Sequence, residues 1–173
     1  MIYFKNIRWK NLLSTGNQFT EIELNKTSTT LIVGENGSGK STVLDALCFG
    51  LFSKPFRRIN RPQLINSIND GGLLVEIEFE VGSKSYMVRR GIKKNIFEIF
   101  VDGQRLNQDA KTQDQQEYLE KTILKLNYKS FTQIVLLGAN HYIPFMQLKS
   151  QDRKSIVEDL LDIQIFSVMK HLL

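Results

Sequence analysis

The residues best suited to chemistry lie in one short run between positions 34 and 42. Gly34, Gly37, Gly39, Lys40 and Ser41 fit the spacing G-x-x-x-x-G-K-[ST]. Glycines let the backbone curl until successive N–H groups point at one anion, and a helix that begins just after them adds the positive end of its dipole. In this pattern the lysine reaches the β- and γ-phosphates of a nucleoside triphosphate, and the serine hydroxyl binds Mg²⁺. We therefore predict that residues 34–41 form a phosphate loop.

Three other interpretations of this run are weaker. A glycine-rich turn without a ligand does not require the sequence Gly-Lys-Ser-Thr. A small GTPase needs Asn-Lys-x-Asp to bind guanine, but Asn25-Lys26-Thr27-Ser28 lacks the aspartate and precedes the loop. A small-molecule kinase has no evident need for the many strands predicted in the middle of the chain.

The elements around the loop are predicted from the hydrophobic pattern. Residues 2–9 and 19–24 have the pattern of strands, and the connection between them contains Ser14 and Thr15. Residues 31–33 form a short apolar run typical of a buried central strand. Apolar residues at helical spacing follow the loop, which predicts a helix beginning near Lys40.

The middle of the chain predicts an antiparallel meander. Residues 74–81 alternate strictly between apolar and acidic side chains, which is typical of a half-buried strand. Residues 85–90 and 96–101 continue as strands, and Asp102-Gly103 provides the pair that a tight type I′ hairpin needs.

The last third of the sequence predicts two helices and one strand. We expect a helix at 113–126, a buried strand at 133–137, and a helix from 151 with Ser150 as its N-cap. Apolar residues at spacings of three and four then continue to Leu173. This stripe fits a helix that packs on its own domain as well as the root of a coiled coil.

Composition predicts a soluble domain with a hydrophobic core. The chain has 173 residues, 42% of them hydrophobic, and a formal net charge of +5. No signal peptide is evident and no apolar run reaches the roughly 20 residues that span a bilayer, so we expect a cytoplasmic protein, in the cytoplasm of a bacterial host if the chain comes from a phage. The only cysteine, Cys48, lies among apolar residues and is expected to be a buried thiol.

Several segments together resemble the N-terminal half of SbcC-like coiled-coil DNA-repair ATPases, which are related to SMC proteins. They are Lys10-Asn11, the phosphate loop with its helix, LIN at 64–66, and the closing run FTQIVLLGANHYIPFMQLKSQDRKSIVEDLLD. The segments LFSKPFRR, QLINS and YIPFM resemble bacteriophage members most. The resemblance implies an α/β fold: an ABC-type P-loop ATPase lobe with a mixed sheet, an antiparallel β meander and flanking helices. Residues 1–150 would form the lobe, and residues 151–173 a helix leading towards a coiled coil.

The resemblance also implies ligands and partners. ATP and Mg²⁺ would be held by Ser14, Thr15, Asn36, Gly37, Ser38, Gly39, Lys40, Ser41 and Thr42. Ser41 would be the metal ligand, and Asn36 would lie near the γ-phosphate. A C-terminal lobe of the same ATPase would supply the signature and Walker B motifs, and two heads would sandwich two ATP molecules. Hydrolysis would gate the processing of double-stranded DNA by a partner nuclease, with no part played by a membrane.

The chain departs from the family pattern in the loop after residue 137. The family has a glutamine there that contacts Mg²⁺, but Ala139 occupies its place. Asn140 or His141 could replace it, a water could complete the metal shell, or the alignment could be shifted so that Gln133 corresponds. The chain also shows no catalytic carboxylate, so we expect ATP hydrolysis only when a C-terminal lobe completes the site.

Two basic clusters have two interpretations. The first contains Lys54, Arg57, Arg58 and Arg61, and the second contains Arg89, Arg90, Lys93 and Lys94. Either cluster could track the phosphates of duplex DNA without reading its sequence. They could also be solvated surface, with Arg89 or Arg90 paired across strands with Glu76, Glu78 or Glu80.

The sequence leaves two other functions to consider. A transport ATPase domain would need a helical insertion with a signature motif before a Walker B strand, and nothing after residue 138 provides one. An ATP-binding regulator that never hydrolyses differs only in what is encoded downstream of Leu173.

Overall fold

Six strands form one sheet, in the spatial order β2-β1-β3-β4-β5-β6. Their bounds are β1 Ile2–Lys10, β2 Thr20–Glu23, β3 Leu74–Val81, β4 Lys84–Gly91, β5 Phe97–Val101 and β6 Gln104–Arg105. The predicted antiparallel meander is confirmed. Every pairing in this sheet is antiparallel, so the expected mixture of parallel and antiparallel strands is not seen in the described part of the chain.

The computed structural model describes residues 1–69, 71–106, 112–136 and 143–161, without the side chains of residues 159 and 160. Two compact units divide the chain, Met1–Thr112 and Gln113–Leu173. The sheet and the phosphate loop belong to the first unit. Within the described ranges, no helix is long and apolar enough to cross a membrane.

The predicted hairpin at Asp102-Gly103 is confirmed in detail. Asp102 has φ 50° and Gly103 has φ 79°, as both central residues of a type I′ turn require, and Val101 pairs with Gln104 across it. The Asp102 carboxylate accepts a hydrogen bond of 2.9 Å from the backbone N–H of Ser85. The turn therefore fixes the register of β5 and β6 and also connects them to β4.

Helix α1, Thr42–Phe52, follows the phosphate loop and packs on the sheet through β1, β3 and β4. Ten of its eleven residues are buried. Alternation in β3 places Val75, Ile77 and Phe79 on the face towards α1, where all three are fully buried. The core of this unit therefore lies between α1 and one face of the sheet.

The prediction of a buried strand at residues 31–33 is wrong for the described structure. These residues have irregular backbone and no strand pairing. Their side chains are exposed, with relative accessibilities of 84% for Leu31, 43% for Ile32 and 79% for Val33. An apolar run can predict that a segment belongs in a core, but it is buried only where a neighbouring strand covers it.

The second unit contains three α-helices in its described part. Helix α2, Thr112–Tyr118, continues as a π-helical turn over Leu119–Leu124, and these two segments confirm the helix predicted at 113–126. The prediction of a strand at 133–137 is wrong for its described residues: 133 and 134 are the last residues of helix α3, Tyr128–Ile134, and 135 and 136 form a turn and a bend. Its N-cap is Asn127, whose side chain accepts a hydrogen bond of 2.9 Å from the backbone N–H of Ser130. This cap begins a helix that runs into the predicted strand as far as Ile134, and Leu137 lies outside the described residues.

Helix α4, Ser150–Leu160, confirms the last predicted helix as far as it is described. Ser150 is the first helical residue rather than the N-cap, because the first helical hydrogen bonds go to the carbonyl of Lys149. The rest of the predicted stripe, from Ile163 to Leu173, lies outside the described residues.

Candidate nucleotide site

The phosphate loop has the backbone that its glycines predict. Gly37 has φ 88° and Gly39 has φ 92°, a region that residues with a side chain rarely adopt. The N–H of Ser38 donates to the carbonyl of Glu35 at 3.2 Å, which closes a turn within the loop. Gly34 permits this turn because a β-carbon there would lie 2.6 Å from the Ser38 hydroxyl oxygen. The loop is therefore curled by its own sequence.

Lys40 is oriented by the loop that it follows. Its Nζ donates hydrogen bonds of 2.7 Å to the carbonyl of Gly34 and 2.6 Å to the carbonyl of Glu35. These bonds hold an ammonium group against the curled backbone, at the start of α1. Such an arrangement concentrates positive charge where the helix N-terminus already favours an anion.

Ser41 and Thr42 lie at the N-terminus of α1 in different environments. Ser41 is the N-cap residue by position, yet its hydroxyl makes no capping hydrogen bond and the residue is exposed. Thr42 is 3% exposed. The Ser41 hydroxyl is thus available to a ligand, whereas Thr42 is packed. Asn36, Gly37 and Ser38 are exposed along the loop, and Gly39 is half-buried.

These residues fit a bound triphosphate with Mg²⁺. The described part of the chain has no cluster of three or more His, Cys, Asp or Glu side chains that could hold a metal ion. Mg²⁺ is commonly held by one or two protein oxygens, substrate phosphates and waters, so a single serine hydroxyl is a sufficient protein contribution.

The connection between β1 and β2 carries Ser14 and Thr15 in an ordered loop. Leu13 has φ 53°, and its N–H donates to the carbonyl of Leu64 at 2.7 Å. The Thr15 hydroxyl donates to the carbonyl of Leu12 at 2.6 Å, while Ser14 is exposed. Thr15 is therefore occupied in shaping the loop, and Ser14 presents its side chain to solvent.

Two asparagines that the sequence did not single out hold this loop in place. The Asn66 amide donates to the carbonyls of Leu13 and Thr15 at 2.8 and 3.1 Å. The Asn11 amide donates to Asn17 at 2.9 Å, and both Asn11 and Asn66 are buried. Buried amides with several partners are specific constraints on backbone position. The only feature of the sequence that pointed to these two asparagines was their presence in the segments that resemble the family.

Asp45 is a second residue that sequence reasoning missed. It lies in the first turn of α1, is 1% exposed, and accepts hydrogen bonds from residues 56 and 57 beyond the end of that helix. Its sequence neighbours are apolar, so the pattern alone predicted only a helix position. We name residues 53–61 the basic loop, because they contain Lys54, Arg57, Arg58 and Arg61.

The second basic cluster is largely occupied by internal partners. Arg89 Nε lies 2.8 Å from Glu76 Oε1, an ion pair whose N–H is not aligned as a hydrogen bond, which confirms the predicted cross-strand pairing. Glu76 also pairs with Arg8 at 2.5 Å, and Arg89 with Glu98 at 3.5 Å. Charges of alternate sign therefore neutralise one another along the sheet face opposite α1.

Arg90 does not lie on the surface where a DNA contact requires it. It is 3% exposed, its guanidinium lies 3.7 Å from the centroid of the Phe97 ring, and its Nε donates to the carbonyl of Gly50 at 2.8 Å. This arrangement places a cation at the C-terminal end of α1, where it satisfies a carbonyl and complements the helix dipole. Lys93 and Lys94 are exposed.

Cys48 is the buried thiol that the sequence predicted. It is fully buried in α1. Burial raises the pKa of the Cys48 thiol well above its ordinary value, and the negative charge of nearby Asp45 raises it further. The thiol is therefore protonated and chemically inert in the folded chain.

The segment predicted to approach the metal is not described by the structure. Ala139, Asn140 and His141 lie outside the described residues, so the question of what replaces the family glutamine stays open. Gln133 lies on α3, with its side-chain oxygen buried and without a hydrogen-bond partner in the described part of the chain.

Comparison with known proteins identifies the family. A family profile described as "AAA domain" matches residues 6–171. The "Exonuclease subunit 2" of Escherichia phage RB69 is 48% identical over 163 residues, which are 94% of this chain and 29% of that protein. A "DNA double-strand break repair Rad50 ATPase" of Methanococcus maripaludis is 30% identical over 164 residues, which are 92% of this chain and 16% of that protein.

A bacterial relative and a solved structure extend the comparison. A subunit of the nuclease SbcCD of Pseudomonas aeruginosa is 29% identical over 201 aligned positions, covering 93% of this chain and 16% of that protein. A structure from work on the "ATP-driven dimerization and DNA stimulated activation of SMC ATPases" has a TM-score of 0.59 at 21% identity, covering 91% of this chain and 99% of that one. This structural likeness establishes the fold, and the chain spans less than a third of the length of the curated relatives. The chain belongs to the AAA-domain family, as an SbcC- and Rad50-like N-terminal ATPase region.

Proposed function

We propose that this chain is the ATP-binding N-terminal lobe of a DNA repair and recombination ATPase whose nucleotide cycle gates a partner nuclease. The observation that carries the proposal is the curled phosphate loop, with Lys40 held against its carbonyls and the Ser41 hydroxyl uncapped at the start of α1. The names of the phage and Rad50 relatives support the biological setting.

In this proposal the phosphate loop binds ATP with Mg²⁺. The backbone N–H groups of residues 36–41 surround the phosphates, Lys40 neutralises their charge, and Ser41 contributes one oxygen to the metal. Bound Mg²⁺ withdraws charge from the phosphates and so favours phosphoryl transfer to water. Exposed Ser14 lies on the loop expected to flank the nucleotide.

A C-terminal lobe of the same ATPase completes the head. Phosphoryl transfer to water needs a group that orients the attacking water, and the phosphate loop provides none. The exposed apolar residues Leu31, Ile32 and Val33 directly precede the loop. Strands of that lobe would cover them, which would give the mixed sheet expected for the complete head.

The other proposed partners are a second head, a nuclease and duplex DNA. A second head would close over the exposed face of the phosphate loop and complete the ATP site. Arg58 and Arg61 are exposed on the basic loop and suit contacts to phosphates that carry no sequence information. The second cluster contributes less, since Arg89 and Arg90 are engaged within the fold.

Calorimetry and turnover measurements test the ATP site. Lys40→Ala should remove most of the charge-assisted phosphate contact and weaken ATP binding at least tenfold. Ser41→Ala should weaken binding in the presence of Mg²⁺ much more than in its absence. The chain alone should hydrolyse ATP negligibly, and co-expression with the segment encoded downstream should restore turnover. Unchanged ATP affinity in Lys40→Ala would contradict the proposed site.

A further inference from the structure

Asp45 connects the first turn of α1 to the basic loop. Its Oδ1 accepts the backbone N–H groups of Phe56 and Arg57, both at 3.2 Å. Its Oδ2 accepts Arg57 Nε at 2.8 Å and lies 2.6 Å from Arg57 Nη2. One buried carboxylate therefore satisfies two consecutive backbone donors and a guanidinium.

These bonds lie between two other constraints, one at each end of the basic loop. At its start, Ser53 adopts a left-handed conformation, φ 60°, and its N–H donates to the carbonyl of Phe49. At its end, the Asn60 N–H donates to the side chain of Gln63 at 2.7 Å. Between these ends, the Asp45 side chain holds the backbone at residues 56 and 57. The exposed Arg58 directly follows the backbone that Asp45 fixes.

We propose that Asp45 is a positioning residue that orders the basic loop for binding the backbone of duplex DNA. This inference rests on the proposed contact of the basic loop with DNA. A loop that is fixed before binding loses less conformational entropy when its cations contact phosphates at a set spacing. Asp45 itself is buried and touches no DNA; it acts through the backbone of residues 56 and 57.

The sign of the effect separates positioning from simple charge. Asp45→Asn removes a negative charge, and a more positive chain binds duplex DNA more tightly when only the net charge matters. Loss of positioning acts in the opposite direction. We expect Asp45→Asn to weaken duplex binding about five- to tenfold, the loss that follows from removing a charge-assisted hydrogen-bond group. The slope of log affinity against log salt should become shallower by roughly one, since each lost phosphate contact releases about one counterion fewer.

The experiment measures binding of a labelled duplex over a range of salt concentrations by fluorescence anisotropy. The matched control is Asp102→Asn, which makes the same charge change at the exposed β5–β6 turn, where asparagine is well tolerated. Asp45→Glu is the second variant, because it keeps the charge and only displaces the carboxylate. It should weaken binding in the same direction as Asp45→Asn.

Limited trypsin digestion reports the order of the loop separately. Lys54 and Arg61 precede prolines and resist trypsin, so cleavage within the basic loop occurs after Arg57 and Arg58. Both Asp45 variants should be cut there much faster than the parent chain. Leu51→Ala, which truncates a fully buried core side chain of α1, shows whether lower global stability alone gives this cleavage.

The double variant Arg58→Glu with Arg61→Glu separates the two proposals. Unchanged affinity and salt slope in this variant would reject the DNA contact of the basic loop itself. Weaker binding in this variant, together with Asp45→Asn and Asp45→Glu binding as tightly as Asp102→Asn, would reject only the role of Asp45.

Discussion

Gly50 on α1 lies directly against Ile77 on β3. A β-carbon at Gly50 would be 2.4 Å from Ile77 Cδ1 and 3.1 Å from Val75 Cγ1, both closer than van der Waals contact allows. The helix that carries the phosphate loop therefore rests on the sheet with its backbone at this point. A glycine in a helix interior costs about 0.8–1 kcal/mol relative to alanine, and the close packing explains why it is present.

Gly50→Ala should destabilise the chain although alanine favours the helix. Overpacking of a fitted core costs about 1–3 kcal/mol, which exceeds the gain in helix propensity. Urea unfolding of the chain measures the difference in the free energy of unfolding between the parent and Gly50→Ala. Ile77→Val removes the closest methyl, so Gly50→Ala should cost clearly less in that background. An equal cost in both backgrounds would show that α1 does not press on Ile77.

Arg90→Met should destabilise the chain by about 1–3 kcal/mol, because it leaves the buried carbonyl of Gly50 without its donor. Duplex DNA binding should keep its salt slope, since the buried Arg90 contacts no phosphate. Lys94→Met is the control for the loss of one positive charge and should change the free energy of unfolding by less than about 0.5 kcal/mol. If the slope of log affinity for DNA against log salt is shallower in Arg90→Met than in Lys94→Met, then Arg90 does contact DNA phosphates.

The stability of the chain should fall above about pH 8.5 through Cys48. The unfolded thiol ionises near pH 8.5, whereas burial keeps the folded thiol protonated, so the folded chain binds more protons at higher pH. The contribution is complete below pH 8.5 and is lost above it, by about 2 kcal/mol at pH 10. This contribution is isolated by measuring the free energy of unfolding of the parent chain and of Cys48→Ala by denaturant unfolding from pH 7 to pH 10. The two curves should converge as pH rises, and parallel curves would show that the thiol ionises equally in both states.

Local patterns predicted the parts of this structure that depend on local chemistry. Alternation in β3, the Asp102-Gly103 turn and the curled backbone at Gly37 and Gly39 were predicted correctly because each is determined by residues adjacent in sequence. Arg90 could not be placed, because its partner carbonyl on Gly50 lies 40 residues away and neither residue signals the other. The contacts of Asp45 could not be predicted for the same reason, since its partners follow the end of its own helix.

The segment 31–33 differs from these cases. Its apolar pattern predicts buried side chains, but these side chains are exposed in the described chain. Leu31 and Val33 expose most of their surface, yet each would stabilise a core by about 1.5–3 kcal/mol if covered. We expect the double variant Leu31→Thr with Val33→Thr to leave the free energy of unfolding of the isolated chain within about 0.5 kcal/mol, because exposed positions contribute little. Threonine keeps the preference for extended backbone, so only apolar surface is lost.

The same double variant should bind the co-expressed downstream segment at least about 100-fold more weakly, which corresponds to about 3 kcal/mol of lost burial. Affinity measured by titration of the purified segment tests this, with Ile68→Thr as the control because Ile68 is 90% exposed in a different loop. ATP turnover of the complex should fall in parallel, while ATP binding through Lys40 persists. If the double variant binds the segment as tightly as Ile68→Thr does, then strands of a C-terminal lobe do not cover residues 31–33.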